Sequence, residues 1–495
     1  MNISLLREYF KSSDINYNLY AIYIIKAFIE KNMANNIEIL IAFKNQLTKE
    51  DLILLSSLLN KNDNKLTYNV VFTLVNISYL ENGEKLFSLD DQICCNIASF
   101  LGNNRNEKDF LFYGLLLLKN ICMDKNVCDI FNRYNIAEFF GEIYEKYLLD
   151  NKLMGYLMAI ISYIIYHLYN AFFEKSKVNI SILIPLIKII ATQIRINYTP
   201  NLLYKYIYKI YQLCSFVDTD IHYEIINCKL HKELISIFPT IEEKVALLNQ
   251  KLKEFLSLPK EEIPKYQDEI TKYKDDLEYY DNSLLAILKI FGKLMYLDDG
   301  IITQNLLNAG ISSFLTKVLQ SNDIRIIKNA CFCISNICAG TYGQSSYLFN
   351  DNTLYELIKV SKNILEAIEL RQEKDDYYSQ LLDVFREINF VFSITISNTL
   401  IEKVIPFCQC ENYTVIIILM KGLNILLGDK NQDLFSSMFI AINKLILFTK
   451  DYDNNIFFNM EKYGLKENLE KIIITGSLAL AKEAEKIHES LYGLI

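Results

Sequence analysis

Side chains able to do covalent or metal chemistry are few in this sequence and poorly grouped. Cys331, Cys333 and Cys338 lie in one stretch and Cys408 and Cys410 in another. Neither group has the nearby His or the paired CxxC elements that a tetrahedral zinc site requires. The eleven cysteines, an odd number scattered through apolar runs, read as core thiols of a reducing compartment rather than a secreted disulfide framework. His167, His222, His231 and His488 form no HExxH or triad-like arrangement, and no Walker-type or GxGxxG phosphate loop occurs. The expectation is a chain that is not an enzyme, with no catalytic residue, no metal and no cofactor.

What does recur is a helical run that ends in a polar residue, then Ile or Leu, then a short polar loop. Its copies read Phe72-Thr73-Leu74-Val75-Asn76-Ile77, Leu116-Leu117-Leu118-Lys119-Asn120-Ile121 and Tyr163-Ile164-Ile165-Tyr166-His167-Leu168. Three more read Tyr208-Lys209-Ile210-Tyr211-Gln212-Leu213, Lys289-Ile290-Phe291-Gly292-Lys293-Leu294 and Phe332-Cys333-Ile334-Ser335-Asn336-Ile337. The polar positions stand 44, 47, 45, 81 and 43 residues apart. A period of about 40–47 residues belongs to HEAT and armadillo arrays, and the 81 is one repeat plus an insertion.

The composition agrees with stacked helices. In 495 residues there are 51% hydrophobic side chains but only 15 Gly, 6 Pro and no Trp, so the long Leu/Ile/Asn/Lys/Tyr runs have few breakers. The expected architecture is an all-α solenoid. A short N-terminal segment (1–14) precedes about ten repeats over 15–495. A charged helical insertion at about 241–282 surrounds Pro259 and Pro264, and a smaller one falls at about 366–386. A net charge of −8 and a pI near 5.4 argue against direct nucleic-acid binding. The N-terminal residues show no export pattern, and the most apolar window, Tyr156 to Phe173, interrupted by His167 and Asn170, reads as a buried helix and not a membrane span.

Lys328-Asn329-Ala330-Cys331-Phe332-Cys333-Ile334-Ser335-Asn336-Ile337-Cys338-Ala339-Gly340 resembles an importin-α armadillo repeat, where the family reads KEACWTISNITAG. Ile301-Ile302-Thr303-Gln304-Asn305-Leu306-Leu307 resembles the preceding family segment, and Gly464-Leu465 to Leu491-Tyr492-Gly493 its closing helices. Weaker similarity runs from about Ile15 to Gly493. The resemblance implies a right-handed superhelical solenoid of armadillo repeats. It also implies a karyopherin adaptor that binds Lys/Arg-rich nuclear localisation signals along a groove lined by the third helix of each repeat.

In that family a Trp and an Asn four residues apart form a ladder, the Asn amides holding peptide backbone, the indoles flanking lysine stems and acids meeting the ammonium heads. Carried over, the major-type site comprises Phe72, Asn76, Leu116, Asn120, Asp124, Tyr163 and His167. Asp124 closes Asn120-Ile121-Cys122-Met123-Asp124, which matches the family's NIAGD. The minor-type site comprises Phe332, Ser335, Asn336, Glu387 and Phe390, with Arg386-Glu387-Ile388-Asn389-Phe390 resembling RKEAAW. All the Trp positions hold Phe, Leu or Tyr, and the Asn positions elsewhere become Gln212, Lys293 and Ile394, with Lys289 and Lys293 adding positive charge. Each candidate also has a plainer role: Asn as a local backbone cap, the aromatics as core, Asp124 as a capping carboxylate.

The implied partners are basic cargo proteins, with no nucleic acid and no membrane, in cytoplasm and nucleus. An importin-β-like receptor is left open, because residues 1 to 15 offer only Arg7 and Lys11 against the family's long Arg/Lys-rich importin-β-binding stretch. The alternative is an armadillo scaffold outside nuclear transport.

Overall fold

The computed structural model describes residues 3–33, 36–134, 136–148, 150–173, 183–196, 199–215, 219–259, 261–296, 300–371, 375–427, 431–449 and 454–493. Every regular element among them is a helix. Where the sequence suggested one continuous array, the chain divides into two compact units, Met1–Thr192 and Gln193–Ile495.

Unit 1 opens with α1 (Ile3–Lys11) and α2 (Ile15–Met33). The next repeat is α3 (Ile37–Lys44), α4 (Lys49–Ser57) and α5 (Asn64–Ser78). A short 3-10 segment, Glu84–Ser88, then precedes α6 (Asp91–Asn103) and α7 (Lys108–Ile121). α8 (Lys125–Arg133), α9 (Ile136–Tyr147) and α10 (Asn151–Phe173) follow, and the boundary falls inside α11 (Leu183–Ile196).

Unit 2 contains α12 (Pro200–Cys214), then α13 (Thr219–Asn227), α14 (Leu230–Ser236), α15 (Phe238–Leu256) and α16 (Gln267–Tyr296). Next come α17 (Ile301–Asn308), α18 (Ile311–Val318) and α19 (Ile324–Ala339), then α20 (Tyr342–Asn350), α21 (Thr353–Glu369) and α22 (Asp376–Asn398). α23 (Ile401–Ile425), α24 (Gln432–Thr449), α25 (Asn454–Lys462), α26 (Leu465–Thr475) and α27 (Leu478–Tyr492) close it. Among the described residues the complete repeats, such as α3–α5, α8–α10 and α17–α19, are two shorter helices and a longer third one, the armadillo pattern. The third helices pack side by side, α2–α5–α7–α10 in unit 1 and α12–α16–α19–α22–α24–α27 in unit 2.

Short polar residues set where helices begin. Asp63, Asp90, Asp124, Asp323, Asp375 and Ser477 each accept a backbone N–H of the first turn, and Thr48 with Asp51 and Thr341 with Gln344 form reciprocal capping boxes. α23 is in fact two helices: Cys410 leaves the helix and Glu411, Asn412 and Tyr413 take left-handed backbone, turning the first helix of that repeat into the second. Ile401–Ile425 taken together is apolar enough over a membrane-spanning length, but the break at Cys410–Tyr413 splits it into two short helices and half of that window is buried.

Residues 241–282 form a helical hairpin from α15 and the first half of α16, which then runs on without a break as a third helix. Phe255 closes the tip against Tyr266 and Tyr273, with centroids 5.0 and 6.0 Å away. The smaller charged stretch lengthens α21 and α22, whose connecting residues 372–374 lie outside the described set.

α1, inside the segment read from sequence as preceding the repeats, is docked. Arg7 makes two bonds to Asp51 of α4, Nε to Oδ1 at 2.6 Å and Nη2 to Oδ2 at 2.7 Å. Burial by itself pushes the Asp51 carboxyl up, but the hydrogen bonds from Arg7 and Thr48 outweigh it and hold it below the usual carboxylate range. A depressed folded pKa gives stability that is complete above the unfolded value, about 4, and lost as pH falls through the lower folded value. Acidification below about pH 4 should therefore release α1, read as faster amide exchange over residues 3–11. Asp51→Asn should release it already at neutral pH.

Candidate functional site

In unit 1 the third helices bring the major-type candidates onto consecutive elements. Phe72 and Asn76 stand on α5, Leu116 and Asn120 on α7, Tyr163 and His167 on α10, and Asp124 at the start of α8. Asn76, Asn120 and His167 are buried, while Phe72, Leu116, Asp124 and Tyr163 are half-buried.

The polar rungs bond to the protein itself. Asn76 Nδ2 donates to the Phe72 carbonyl at 2.8 Å. Asn120 Nδ2 donates to Ser78 Oγ at 2.9 Å, and His167 Nε2 lies 3.2 Å from the Cys122 carbonyl. Ser78 and Cys122 each stand two residues past the rung of the preceding repeat, so Asn120 and His167 staple their repeats to the one before, whereas Asn76 bonds within its own helix. An amide keeps a second N–H and its oxygen after one bond, so the rungs retain part of their capacity. Asn32 belongs to the same row, buried, with Nδ2 on the Phe28 carbonyl at 2.7 Å. It is missing from the sequence candidates, although it stands 44 residues before Asn76. Asp124 serves as the N-cap of α8, its Oδ1 accepting from the backbone N–H groups of Asn126 and Val127.

The aromatic positions are joined by the protein's own lysines. Lys26 Nζ sits 4.8 Å from the Phe72 centroid and 5.8 Å from that of Tyr68, and donates to Asn69 Oδ1 at 3.1 Å. Lys119 lies 5.6 Å over Tyr156, itself edge-on to Phe112. A Lys-rich peptide seeking the Phe72 ring would first have to displace Lys26.

The minor-type candidates fall in unit 2 and are less accessible than the sequence suggested. Ser335 is 2% exposed and donates to the Phe332 carbonyl, so it faces the core and cannot line a binding face. Phe332 is half-buried and lies flat on Gly292, where a Cβ would come within 2.7 Å of the ring. Asn336 donates from Nδ2 to the Gly292 carbonyl at 3.3 Å, a staple of the same kind as in unit 1.

In α22 that role falls to Asn398, whose Nδ2 reaches the Cys338 carbonyl at 3.1 Å, two residues past Asn336. The rung lies one turn beyond Ile394, so the aromatic position four residues earlier is Ile394 and not Phe390. The lengthened start of α22 explains the slip, since extra turns leave the local motif intact while moving its register. Lys444 continues the row from α24, donating to the Ser397 and Thr399 carbonyls at 2.8 and 2.7 Å.

Glu387 is half-buried, and burial raises its carboxyl while Lys328 and Arg386 draw it back. Asp383 already binds Lys328 and Arg386, at 2.6 Å each. Two acids and two bases balance there, leaving no net negative charge for a cargo lysine. No disulfide joins the eleven cysteines, eight of which are buried, and burial pushes up thiols such as Cys331, Cys333 and Cys408. No group of His, Cys, Asp and Glu able to hold a metal occurs among the described residues.

No family model matches the sequence, and no curated protein does. The chain is similar in structure to a crystallised engineered protein at 13% identity and TM-score 0.57, covering 99% of this chain and 98% of that one. A designed armadillo repeat protein in complex with the peptide (KR)4 matches at 16% identity and TM-score 0.41, over 61% and 98% of the two chains. A structure from work on the phosphorylation switch between cadherin and beta-catenin matches at 12% and 0.47, over 98% and 93%. At these identities the likeness concerns the fold.

Proposed function

We propose that this chain is a non-catalytic adaptor that binds extended segments of other proteins along its third-helix faces. The observation that carries this reading is the row Asn32, Asn76, Asn120 and His167, each fixed by an intramolecular bond with half-buried aromatic and lysine side chains standing between the rungs. Fixed polar groups at a constant spacing present a preorganised register to a peptide backbone, which lowers the ordering cost of binding.

A narrower reading makes unit 1 a nuclear-import site for basic cargo, in a protein working in cytoplasm and nucleus. Asp124 supports it, because the cap engages Oδ1 and, among the described residues, Oδ2 accepts no hydrogen bond. Binding of a fluorescent Lys-rich localisation peptide to wild type and Asp124→Lys, followed across a salt series, tests it. Binding that Asp124→Lys abolishes supports import; no binding by folded protein rules it out and leaves the adaptor for other partners.

The placement of Lys26 gives this reading a signature. Removing a cation from an aromatic face costs about 0.5–1 kcal/mol. Lys26→Met should therefore raise affinity for the Lys-rich peptide about two- to fivefold by freeing the Phe72 ring. An unchanged affinity would show that a basic peptide, if bound, lies elsewhere.

A further inference from the structure

Three neighbouring third helices of unit 2 hold long stretches without an acid, bounded by Asp281 on α16 and by Asp323, the cap of α19. Residues 200–214 of α12, 282–296 of α16 and 324–339 of α19 contain neither Asp nor Glu, yet they hold Lys205, Lys209, Lys289, Lys293, Arg325 and Lys328. In a chain of net charge −8 this is a local reversal. Arg325 and Lys328 have partners in Asp323 and Asp383. Among the described residues, Lys205, Lys209, Lys289 and Lys293 have no carboxylate within ion-pair distance.

Two of these lysines converge on one aromatic ring. Lys289 and Lys293, one helical turn apart on α16, stand 5.8 and 5.6 Å from the centroid of Tyr211 on α12. Tyr211 is 5.8 Å from the ring of Tyr208, which is exposed. Lys209 donates to Gln212 Oε1 at 3.0 Å, and burial lowers its ammonium pKa. On the far side Phe332 rests on Gly292, beside Lys293. Half-buried lysines without counter-charge are costly, and a ring face only partly replaces a carboxylate.

We propose that this face of α12, α16 and α19 binds an extended acidic segment of a partner protein. Its carboxylates would meet Lys289 and Lys293, apolar side chains between them would lie on Tyr208, Tyr211 and Phe332, and the Gln212 amide and Asn336 oxygen would take the backbone. The occupant follows from charge complementarity: positive groups of one sign, already partly desolvated, select a negatively charged chain and repel a basic one. The nearest acids are Asp281 and Asp323 beside Arg325 at one end of the face, and Asp383 and Glu387 on α22, beside Lys328 and Arg386. The proposal rests on the adaptor reading and names its partner class for unit 2.

The test uses the full chain and an array of labelled decapeptides alternating Glu with Leu or Phe, together with Gln-for-Glu and Lys-for-Glu counterparts, read by fluorescence anisotropy across a salt series. Glu peptides should bind best and weaken with salt, Gln counterparts should lose about tenfold, and Lys counterparts should not compete. The Lys289→Gln/Lys293→Gln protein should bind Glu peptides about tenfold more weakly with an unchanged melting curve, and Lys293→Arg should keep most of the affinity. Glu and Gln peptides binding alike, or undiminished binding by Lys289→Gln/Lys293→Gln, would overturn the proposal while leaving the adaptor reading intact. A single-stranded oligonucleotide held more tightly than any Glu peptide through these lysines would also overturn it, assigning the face to phosphates. If no extended peptide of any charge binds, both readings fall together.

Discussion

Phe314→Ala should destabilise unit 2 by about 3–5 kcal/mol and loosen the base of the charged hairpin before anything else. Phe314 is 3% exposed, and its ring stands edge-on to Phe238 of α15 at 5.0 Å and to Phe291 of α16 at 5.9 Å. These three rings join the start of α15 and the third-helix half of α16, at the foot of the hairpin, to α18. Truncation removes the burial of a whole aromatic side chain, leaves a cavity, and breaks two edge-to-face pairs worth roughly 0.5–1.5 kcal/mol each. Stability in a repeat array is a sum of local terms, so the loss should stay near the lesion. Amide exchange should rise over residues 238–256 and 311–318 while α24 to α27 stay protected. Phe255→Ala at the hairpin tip removes a half-buried ring and should cost much less. A loss under about 1 kcal/mol for Phe314→Ala, far below the usual range, would show that the rings do not anchor the hairpin.

The helical class and the repeat period were legible in the sequence because a packed repeat imposes its spacing on the residues that bridge it. Hydrogen bonds between successive third helices join residues 42–45 apart from Lys26–Asn69 to Asn336–Gly292, close to the period read from the polar positions. That regularity would also have located Asn32. The use made of each rung was not legible. Whether an Asn faces a ligand or the previous repeat depends on which atom stands a few ångströms away on another helix, and Asn120 with Ser78 has no local signature. Lys26 is equally hidden, since its ring partner lies 46 residues further on and nothing around Lys26 marks it. The burial of Ser335 and the rung at Asn398 were hidden for a different reason. A motif carried over from a family fixes residue types, whereas the angle at which a helix is turned, and any added turn such as that in α22, decides which of them reach the surface.

Gly422→Ala, a single added methyl, should cost unit 2 about 2–3 kcal/mol, for a reason that only the packing supplies. Gly422 on α23 faces Asn389 on α22. A Cβ there would press on the Asn389 side chain at Oδ1, within 2.7 Å of Cγ and 3.0 Å of Nδ2. Asn389 is fully buried and its Nδ2 donates to the Phe385 carbonyl at 2.8 Å, so the amide cannot swing away without losing that bond. Small-to-large changes in a filled core cost about 1–3 kcal/mol, and an orphaned buried amide adds to this. The two sites should therefore be strongly coupled. Asn389→Ala in the Gly422→Ala background makes room for the methyl and removes the polar group that would be stranded. The double variant should melt higher than Gly422→Ala alone, although Asn389→Ala by itself destabilises. Strictly additive losses in a double-mutant cycle would show that the methyl is accommodated by helix movement and that the Asn389 amide is not what fixes the approach of α22 and α23.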